Sequence, residues 1–301
     1  MSQPLLTPPP SGLPFVPFPE MVEVARHELP DDLPRDLSRV LVALDVDGTL
    51  LRPDGASPRV REAYHDLVDA GATVVIATGR GVNAVRPVLG YLHEDRGWSV
   101  CSNGAVLARW EPRGGTDVEV LVEHRFDPSA AIRSLESSVP GILLGVEVTD
   151  RGYLVSQPFP VGELAEAGIV SPVRDLSATP TPKLIGRAPW MDRDEFAERV
   201  EGSDLGVRHE YAVGWTSWVD VGPEGTTKAT GLAELAAELG IPREGTVSVG
   251  DGTNDIAMLR WAHHGVAMGG ATEEVRAHAD AVTGPVEHDG AAALMRAILE
   301  R

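Results

Sequence analysis

One run of ten residues, Leu41 to Leu50, constrains the fold of this chain more than any other stretch of its sequence. Four apolar residues lead directly into Asp45 and Asp47, and a Gly-Thr turn follows. A short apolar run bounded by turn residues predicts a buried parallel strand. In open α/β sheets the chemistry gathers beyond the carboxyl ends of such strands. Two acids spaced i, i+2 can face the same way, with Val46 turned aside. Because like charges repel, such a pair needs a cation or a shared proton.

The residues that follow this run alternate between helix and strand patterns. Ser57-Pro58 is a good helix start, and an apolar stripe continues from it to a stop at Gly71. Strands are predicted over Thr73–Ala77 and Trp98–Cys101, with a helix over about 82–92 between them. This β-α-β-α-β order predicts the beginning of a doubly wound sheet.

The alternation breaks near residue 108 and returns at Trp218. Between these points short strand candidates mix with two helix candidates, without strict β/α order. We therefore predict an α/β protein with a Rossmann-like, doubly wound parallel-sheet core and an inserted α+β domain. The predicted bounds are 36–107 plus 218–301 for the core and 108–217 for the insert.

Residues 1–35 have a different character. The first twenty are mainly prolines with scattered Leu, Phe and Val, a composition that resists regular structure. We predict a proline-rich N-terminal arm that is extended and mobile. The alternative is that Phe15 and Phe18 dock the arm on a neighbouring surface.

Composition excludes several classes of function. A formal net charge of −19 argues against a nucleic-acid partner, which requires a basic footprint, and against an anionic membrane surface. No apolar run approaches the length of a membrane span, and no signal peptide is evident, so a cytoplasmic location is expected. The single cysteine, Cys101, excludes an internal disulfide and a cysteine-based zinc site. A phosphorylated substrate stays possible, because a bound divalent cation can invert the field inside a cleft.

Polar groups follow three predicted strands, and a lysine follows a Gly-rich turn. Besides Asp45 and Asp47 they are Thr78-Gly79-Arg80, the group Asp251/Asn254/Asp255, and Lys228. This set offers acids for a hard cation and a hydroxyl, amides and a point charge for an anion. Magnesium prefers oxygen ligands, with waters and substrate phosphate completing an octahedron. The set suits phosphoryl transfer, in which positioning and charge neutralisation supply most of the catalysis.

Each motif alone also has a structural interpretation. Asp45–Gly48 could begin a calcium loop, but no glycine and no terminal glutamate stand at the spacing that such a loop requires. Gly250-Asp251-Gly252 lacks the third glycine of a dinucleotide fingerprint, and Gly222–Lys228 lacks the Gly-Lys-Ser/Thr of a P-loop. Asp251 and Asp255 could simply be acids at a helix N-terminus. The occurrence of all the motifs in order favours one catalytic site.

Together the motifs resemble those of the haloacid dehalogenase (HAD) superfamily. The matching residues are Asp45-Val46-Asp47-Gly48-Thr49, Thr78, Lys228, and Gly250-Asp251-Gly252-Thr253-Asn254-Asp255. Three further runs are similar to its Cof-type sugar-phosphatase branch, subclass IIB: Asn103-Gly104, Val266–Ala271 and Asp289-Gly290. That branch carries a large α+β cap inserted after the third strand, where the rhythm breaks here.

The resemblance implies a role for each matching residue. Asp45 would be the nucleophile that forms an aspartyl-phosphate, and Asp47 would be the general acid and base. Mg²⁺ would be bound by the Asp45 and Asp251 carboxylates and the Asp47 backbone carbonyl, with Asp255 acting through a water. The remaining residues would surround the substrate phosphate: Thr78, Gly79, Lys228, Asn254 and, lining the cleft, Asn103.

The expected activity is magnesium-dependent hydrolysis of a small phosphate monoester, such as a sugar phosphate or a similar metabolite. One alternative is a phosphosugar mutase or phosphotransferase on the same core. The other is a non-catalytic phospho-ligand-binding protein. The intact Asp47 argues against the non-catalytic alternative, since family members without an acid there tend not to hydrolyse phosphate readily.

Four other side chains have open interpretations. Arg80 could contact phosphate or lie on the surface at a helix start. Lys183 stands where relatives often carry a cap lysine, and a solvated strand end is the alternative. Trp215 and Trp218 are expected to serve packing rather than substrate stacking.

Overall fold

The apolar run before Asp45 forms a central strand of a mostly parallel sheet. The computed structural model describes residues 10–112, 118–149, 151–164 and 168–301. Within these residues the larger sheet has eight strands: β1 Leu41–Leu44, β2 Thr73–Ala77, β3 Gly97–Cys101, β4 Val106–Trp110, β5 Val118–Glu123, β12 Thr246–Gly250, β13 His264–Ala267 and β14 Ala281–Val282. The smaller sheet has six: β6 Leu143–Val148, β7 Gly152–Val155, β8 Gly168–Val170, β9 Leu184–Arg187, β10 His209–Val213 and β11 Trp218–Pro223.

Helices cover both faces of the larger sheet and pack against the smaller one. Among the described residues they are α1 Phe18–Glu28, α2 Pro58–Asp69, α3 Val82–Leu92, α4 Ser129–Ser138, α5 Val173–Ser177, α6 Arg193–Glu201, α7 Lys228–Leu239, α8 Ile256–Trp261, α9 Glu273–Arg276 and α10 Gly290–Leu299. The predicted start of α2 is confirmed, since the Ser57 hydroxyl accepts a hydrogen bond from the Val60 N–H at 3.1 Å. No described helix is long and apolar enough to cross a membrane.

The larger sheet has the doubly wound order that the sequence predicts. Its strands run β14-β13-β12-β1-β2-β3-β4-β5, so β1 lies between β12 and β2, and it is parallel to both. The side chains of β1 alternate between two hydrophobic clusters. Val42 and Leu44 pack with residues of α2, α3 and α10, whereas Leu41 and Ala43 pack with residues of α7 and α8. Burial on both faces explains why this strand is continuously apolar.

The smaller sheet and its helices form the α+β unit predicted as an insert. Its order is β10-β11-β9-β6-β7-β8, and α4, α5 and α6 contribute to one cluster with β6, β9 and β11. We name the part built around this sheet the cap and the part built around the larger sheet the core.

The change from core to cap falls at different residues from those predicted. Antiparallel strands β4 and β5 extend the larger sheet, whereas β11 pairs with β9 and β10 in the smaller sheet. The core therefore continues to Glu123 and resumes after Pro223, rather than changing at 108 and 217. Strand patterns alone could not assign these segments, because alternation in β11 is the same whichever sheet receives it.

The N-terminal segment also departs from the prediction of an extended, mobile arm over 1–35. Phe18–Glu28 is helix α1, and its buried side chains Met21, Val22 and Ala25 pack with Ala293 and Ala297 of α10. Nearer the N-terminus, the Ser11 N–H donates to Glu287 at 2.8 Å, and Phe15 lies edge-on to His288. The docking alternative therefore describes residues 11–28 better, while residues 1–9 lie outside the described part of the chain.

A close backbone approach joins β3 to the start of α7. Gly104 has φ +106°, and a Cβ at this position would lie 2.0 Å from the Thr227 carbonyl oxygen. A side chain here would meet both strain and a backbone atom that cannot swing away. The contact places Lys228, the first residue of α7, beside the end of β3.

Replacing Gly104 with alanine is expected to lower the free energy of unfolding by about 2–3 kcal/mol or more, because both the left-handed backbone and the contact oppose a Cβ. Urea denaturation measures this. Gly90→Ala is the matched control, since Gly90 lies exposed within α3 with nothing within 4 Å of an added Cβ. That variant is expected to gain about 0.5–1 kcal/mol. Equal stability of the two variants would contradict the account of Gly104.

Candidate active site

The two groups that the sequence analysis sets at the centre of the chemistry are in direct contact. Asp45 follows β1, and Lys228 begins α7; both side chains are buried. The Lys228 ammonium donates to Asp45 Oδ1 and to Asp255 Oδ1, each at 2.6 Å. Burial alone would lower the pKa of Lys228, but Asp255 and Asp45 outweigh that effect and raise it. Lys228 therefore stays a cation between two carboxylates.

Three acids cluster around this lysine. Single carboxylate oxygens of Asp45, Asp251 and Asp255 lie within 4.8 Å of one another. Burial, together with the charges of Asp45 and Asp255, raises the pKa of Asp251 well above its ordinary value. Burial and the charge of Asp45 raise the pKa of Asp255 to about 6, although Lys228 opposes the rise. Because one lysine faces three acids, the cluster favours an additional cation.

The chemistry of this donor set fits a hard divalent cation, which takes oxygen ligands. Asp255 differs from the other two acids, because both of its oxygens have protein partners. Its Oδ1 accepts from Lys228, and its Oδ2 accepts from the N–H groups of Asp251 and Gly252, each at 2.9 Å. Asp255 thus holds the loop after β12 in place around the cluster.

Asp47 lies beside the cluster and is paired with Arg80. The guanidinium donates from Nε to Oδ2 at 2.8 Å and from Nη2 to Oδ1 at 2.6 Å. Burial raises the pKa of Asp47, and the Arg80 charge opposes the rise. Val46 between the two acids is fully buried, as the predicted alternation requires. The alternative of a surface Arg80 is wrong, since only 15% of its side chain is exposed.

Thr78 and Gly79 follow β2 and face the same edge of the sheet. The buried Thr78 hydroxyl accepts from the Arg80 N–H at 3.1 Å. The Gly79 carbonyl accepts from the Lys183 ammonium at 2.6 Å. Lys183 is a cap residue only 4% exposed, so the alternative of a solvated strand end is wrong. Its contact joins the cap to this loop of the core.

Asn103 occupies a strained turn after β3. Ser102, Asn103 and Gly104 all have positive φ, at 51°, 55° and 106°. Their conformation is fixed by backbone bonds to the loop after β2, from Ser102 N–H to the Arg80 carbonyl at 2.8 Å and from Asn103 N–H to the Thr78 carbonyl at 3.1 Å. Asn103 Oδ1 then accepts from Asn254 Nδ2 at 2.9 Å. Asn103 and Asn254, both predicted to lie around the substrate phosphate, are thus joined by a direct hydrogen bond.

Two acids that were not predicted from the sequence reach this place from the cap. Asp220 of β11 accepts from Asn103 Nδ2 at 3.2 Å, and the buried Glu147 of β6 accepts from the Ser102 hydroxyl at 2.6 Å. The indole N–H of Trp218, expected to serve packing, also donates to Asp220 at 2.8 Å. One signal in the sequence could have identified Asp220, which is an acid on the strand that precedes Lys228.

The core and cap share a cleft with a volume of about 500 Å³. Its lining combines the predicted phosphate side chains with cap residues: Asn103, Lys228, Asn254, Lys183, Tyr211 and Asp220. Of the remaining predicted residues, Asp45, Asp47, Asp251 and Asp255 lie around Lys228 at the core end. A cleft of this size suits a metabolite rather than a polymer.

A family model for haloacid dehalogenase-like hydrolases matches residues 42–137 and 191–295 of this sequence. The chain belongs to this family. Apart from Leu41, the first residue of β1, its core strands, the acids at their ends and Lys228 fall within the matched residues. This HAD-like hydrolase is therefore an enzyme, and its relatives identify it as a hydrolase of phosphoric monoesters.

Known relatives of this HAD-like hydrolase are phosphatases with different named substrates. It is 30% identical over 263 residues to the pyridoxal phosphate phosphatase YbhA of Escherichia coli K12, covering 81% of this chain and 93% of that protein. It is 30% identical over 242 residues to the HMP-PP phosphatase of an Enterobacter species, covering 78% and 86%. A solved subclass IIB sugar phosphatase of the HAD superfamily matches with a TM-score of 0.70 and 26% identity, covering 85% and 98%.

Proposed function

We propose that this protein is a magnesium-dependent phosphatase that hydrolyses a small phosphate monoester, such as a sugar phosphate, through an aspartyl-phosphate on Asp45. One observation carries the proposal: the buried Lys228 ammonium lies 2.6 Å from Asp45 in an otherwise acidic cluster. A lysine there reduces the repulsion between a carboxylate nucleophile and an incoming phosphate dianion. The relatives support the phosphatase class, since their names include phosphatases of pyridoxal phosphate and of sugars.

Magnesium would be held by the Asp45 and Asp251 carboxylates and the Asp47 backbone carbonyl, with Asp255 supporting it through a water. When bound, it supplies positive charge to the phosphoryl oxygens and to the acids around them. The excess of carboxylates over lysines in the cluster supports this assignment. A cation bound there would also stabilise the ionised form of Asp251, whose pKa is otherwise raised by burial and by the neighbouring acids.

In the first step an Asp45 oxygen attacks the phosphorus atom, and the bond from phosphorus to the leaving oxygen breaks. We assign the attack to Oδ2, because Lys228 engages Oδ1. Asp47 gives its proton to the leaving oxygen, and the raised pKa suits a proton donor. Thr78, Gly79 and Asn254 would hold the phosphoryl oxygens together with Lys228, and Asn103 fixes the Asn254 amide.

In the second step a water attacks the phosphorus atom of the aspartyl-phosphate, and Asp47 takes the proton of that water. The bond from phosphorus to Asp45 breaks, which releases inorganic phosphate and restores the carboxylate. Arg80 must release Asp47 for both steps, since its guanidinium engages both Asp47 oxygens. The substrate phosphate is itself a strong bidentate partner for arginine, so substrate binding provides the exchange.

Phosphate release from a panel of phosphorylated metabolites tests the proposal. Release is expected to require Mg²⁺, to fall to background with excess EDTA, and to return when Mg²⁺ is restored. Ca²⁺ at the same concentration is the matched control, because it carries the same charge but accepts longer, less regular coordination. We expect Ca²⁺ to restore little of the rate.

Other outcomes would contradict particular parts of the proposal. Release that is indifferent to EDTA would contradict the magnesium requirement. Tight binding of a phosphorylated ligand without turnover would favour the non-catalytic alternative. Formation of an isomeric sugar phosphate, activated by a sugar bisphosphate, would favour the mutase.

A further inference from the structure

Asp220 is held in one orientation at the boundary between cap and core. The Trp218 indole N–H donates to its Oδ1 at 2.8 Å, and the Asn103 amide donates to its Oδ2 at 3.2 Å. Both bonds run toward Asp220, so its carboxylate acts as acceptor in each. The Asn254 amide donates to Asn103 in turn, which links Asp220 through one side chain to a proposed phosphate-binding residue.

Asp220 also lies close to the loop that follows β2. A Cβ built on Gly79 would be 3.1 Å from Asp220 Oδ2. The carboxylate is half-buried and lines the cleft that Lys228 and Asn254 line. A group that contacts Asp220 would therefore lie a few covalent bonds from a phosphate bound beside Gly79.

The carboxylate has acceptor capacity beyond its two protein partners. An ionised carboxylate offers about four lone-pair sites, and Trp218 and Asn103 use two. The ammonium of the cap residue Lys183 donates to the Gly79 carbonyl at 2.6 Å, so it brings a positive charge to the same core loop. Because Lys183 already supplies a positive charge here, a neutral hydrogen-bond donor such as a hydroxyl suits the free lone pairs of Asp220 better than a second ammonium would. The Asp220 carboxylate would repel a carboxylate or a phosphate.

We propose that Asp220 selects the leaving group, by accepting a hydrogen bond from a hydroxyl on the carbon next to the one that bears the phosphate. The substrates are then phosphorylated polyols, a class that includes sugar phosphates. This inference rests on the proposed function and narrows it. A site that bonds a substrate hydroxyl discriminates strongly against the analogue without it, because the polar group of the protein is then left unpaired.

Two small substrates that differ in one hydroxyl test the inference. α-Glycerophosphate carries a hydroxyl on the carbon next to the one that bears the phosphate. Its deoxy analogue, 1,3-propanediol monophosphate, lacks only that hydroxyl. We expect kcat/KM of the unaltered protein to favour α-glycerophosphate by about tenfold or more. In Asp220→Asn we expect this preference to disappear. The reason would be a lower kcat/KM for α-glycerophosphate rather than a higher kcat/KM for the analogue.

A second variant keeps the test informative if Asp220→Asn does not fold. Trp218→Phe retains an aromatic ring against Phe159 and removes the N–H that orients Asp220, together with one ring of the indole. Its preference for α-glycerophosphate is expected to fall several-fold. This loss should appear mainly in KM, since Trp218 positions Asp220 without touching the reacting atoms.

Each contrary outcome has a definite meaning. Equal kcat/KM for the two compounds in the unaltered protein, or a preference that persists in both variants, overturns the inference and leaves the proposed function intact. Release from other monoesters but from neither of these two also overturns the inference alone. Absence of phosphate release from every monoester tested overturns the proposed function, and the inference with it.

Discussion

Replacing Asp45 with asparagine is expected to lower kcat for phosphate release by on the order of 10⁴-fold or more, the scale seen when a nucleophile is removed. An asparagine amide cannot form the acyl phosphate, although asparagine keeps the shape of the side chain and its oxygen can still accept a hydrogen bond from Lys228. Steady-state phosphate release with saturating Mg²⁺ measures the effect. Unfolding curves recorded beside it separate lost chemistry from lost structure.

Asp54→Asn provides the matched control for this substitution. Asp54 lies in the same connection between β1 and α2, and 86% of its side chain is exposed. Among the described residues, its one ion pair is a 3.9 Å contact with Arg52. We expect its turnover to equal that of the unaltered protein. Turnover of Asp45→Asn within tenfold of the control would rule out Asp45 as the nucleophile.

Replacing Lys228 with methionine is expected to lower the free energy of unfolding by about 3–5 kcal/mol, because it leaves two buried carboxylates without their cation. Methionine fills most of the space of the lysine stem, so the effect reports the charge rather than a cavity. Activity should also fall sharply. Urea denaturation in the presence of EDTA measures stability without a contribution from a bound cation.

A double variant isolates the electrostatic cause of this loss. Adding Asp255→Asn to Lys228→Met removes one of the two uncompensated charges. The double variant is therefore expected to be more stable than the sum of the two single effects predicts, with a coupling of about 1–3 kcal/mol. Strict additivity, or a Lys228→Met protein within about 1 kcal/mol of the unaltered one, would contradict a structural role for the ion pair.

The close placement of the core site residues could be predicted from the sequence, because it follows from sheet topology. Parallel strands bring their carboxyl ends to one edge, so Asp45, Thr78 and Asp251 meet wherever the sheet forms. Lys228 was found through its place in the order of motifs. None of these predictions required knowledge of how the cap sits on the core.

The cap contacts could not be predicted in the same way. Glu147, Lys183 and Asp220 reach the core only because the smaller sheet has one particular orientation, which no local pattern in the sequence encodes. Helix α1 was missed for another reason. Its apolar stripe is short, and the prolines before it dominate the composition of the segment.

The pairing of β1 with β12 has a consequence for how the protein is made. Leu41 pairs with Thr246, so the two strands are separated by about two hundred residues, among which lie all six strands of the smaller sheet. A ribosome adding roughly 5–20 residues per second needs on the order of ten to forty seconds to cover that distance. The cap can complete its sheet within this interval, while one edge of β1 stays unpaired and open to other chains. Synthesis of the cap is thus a period in which the nascent protein is exposed to aggregation.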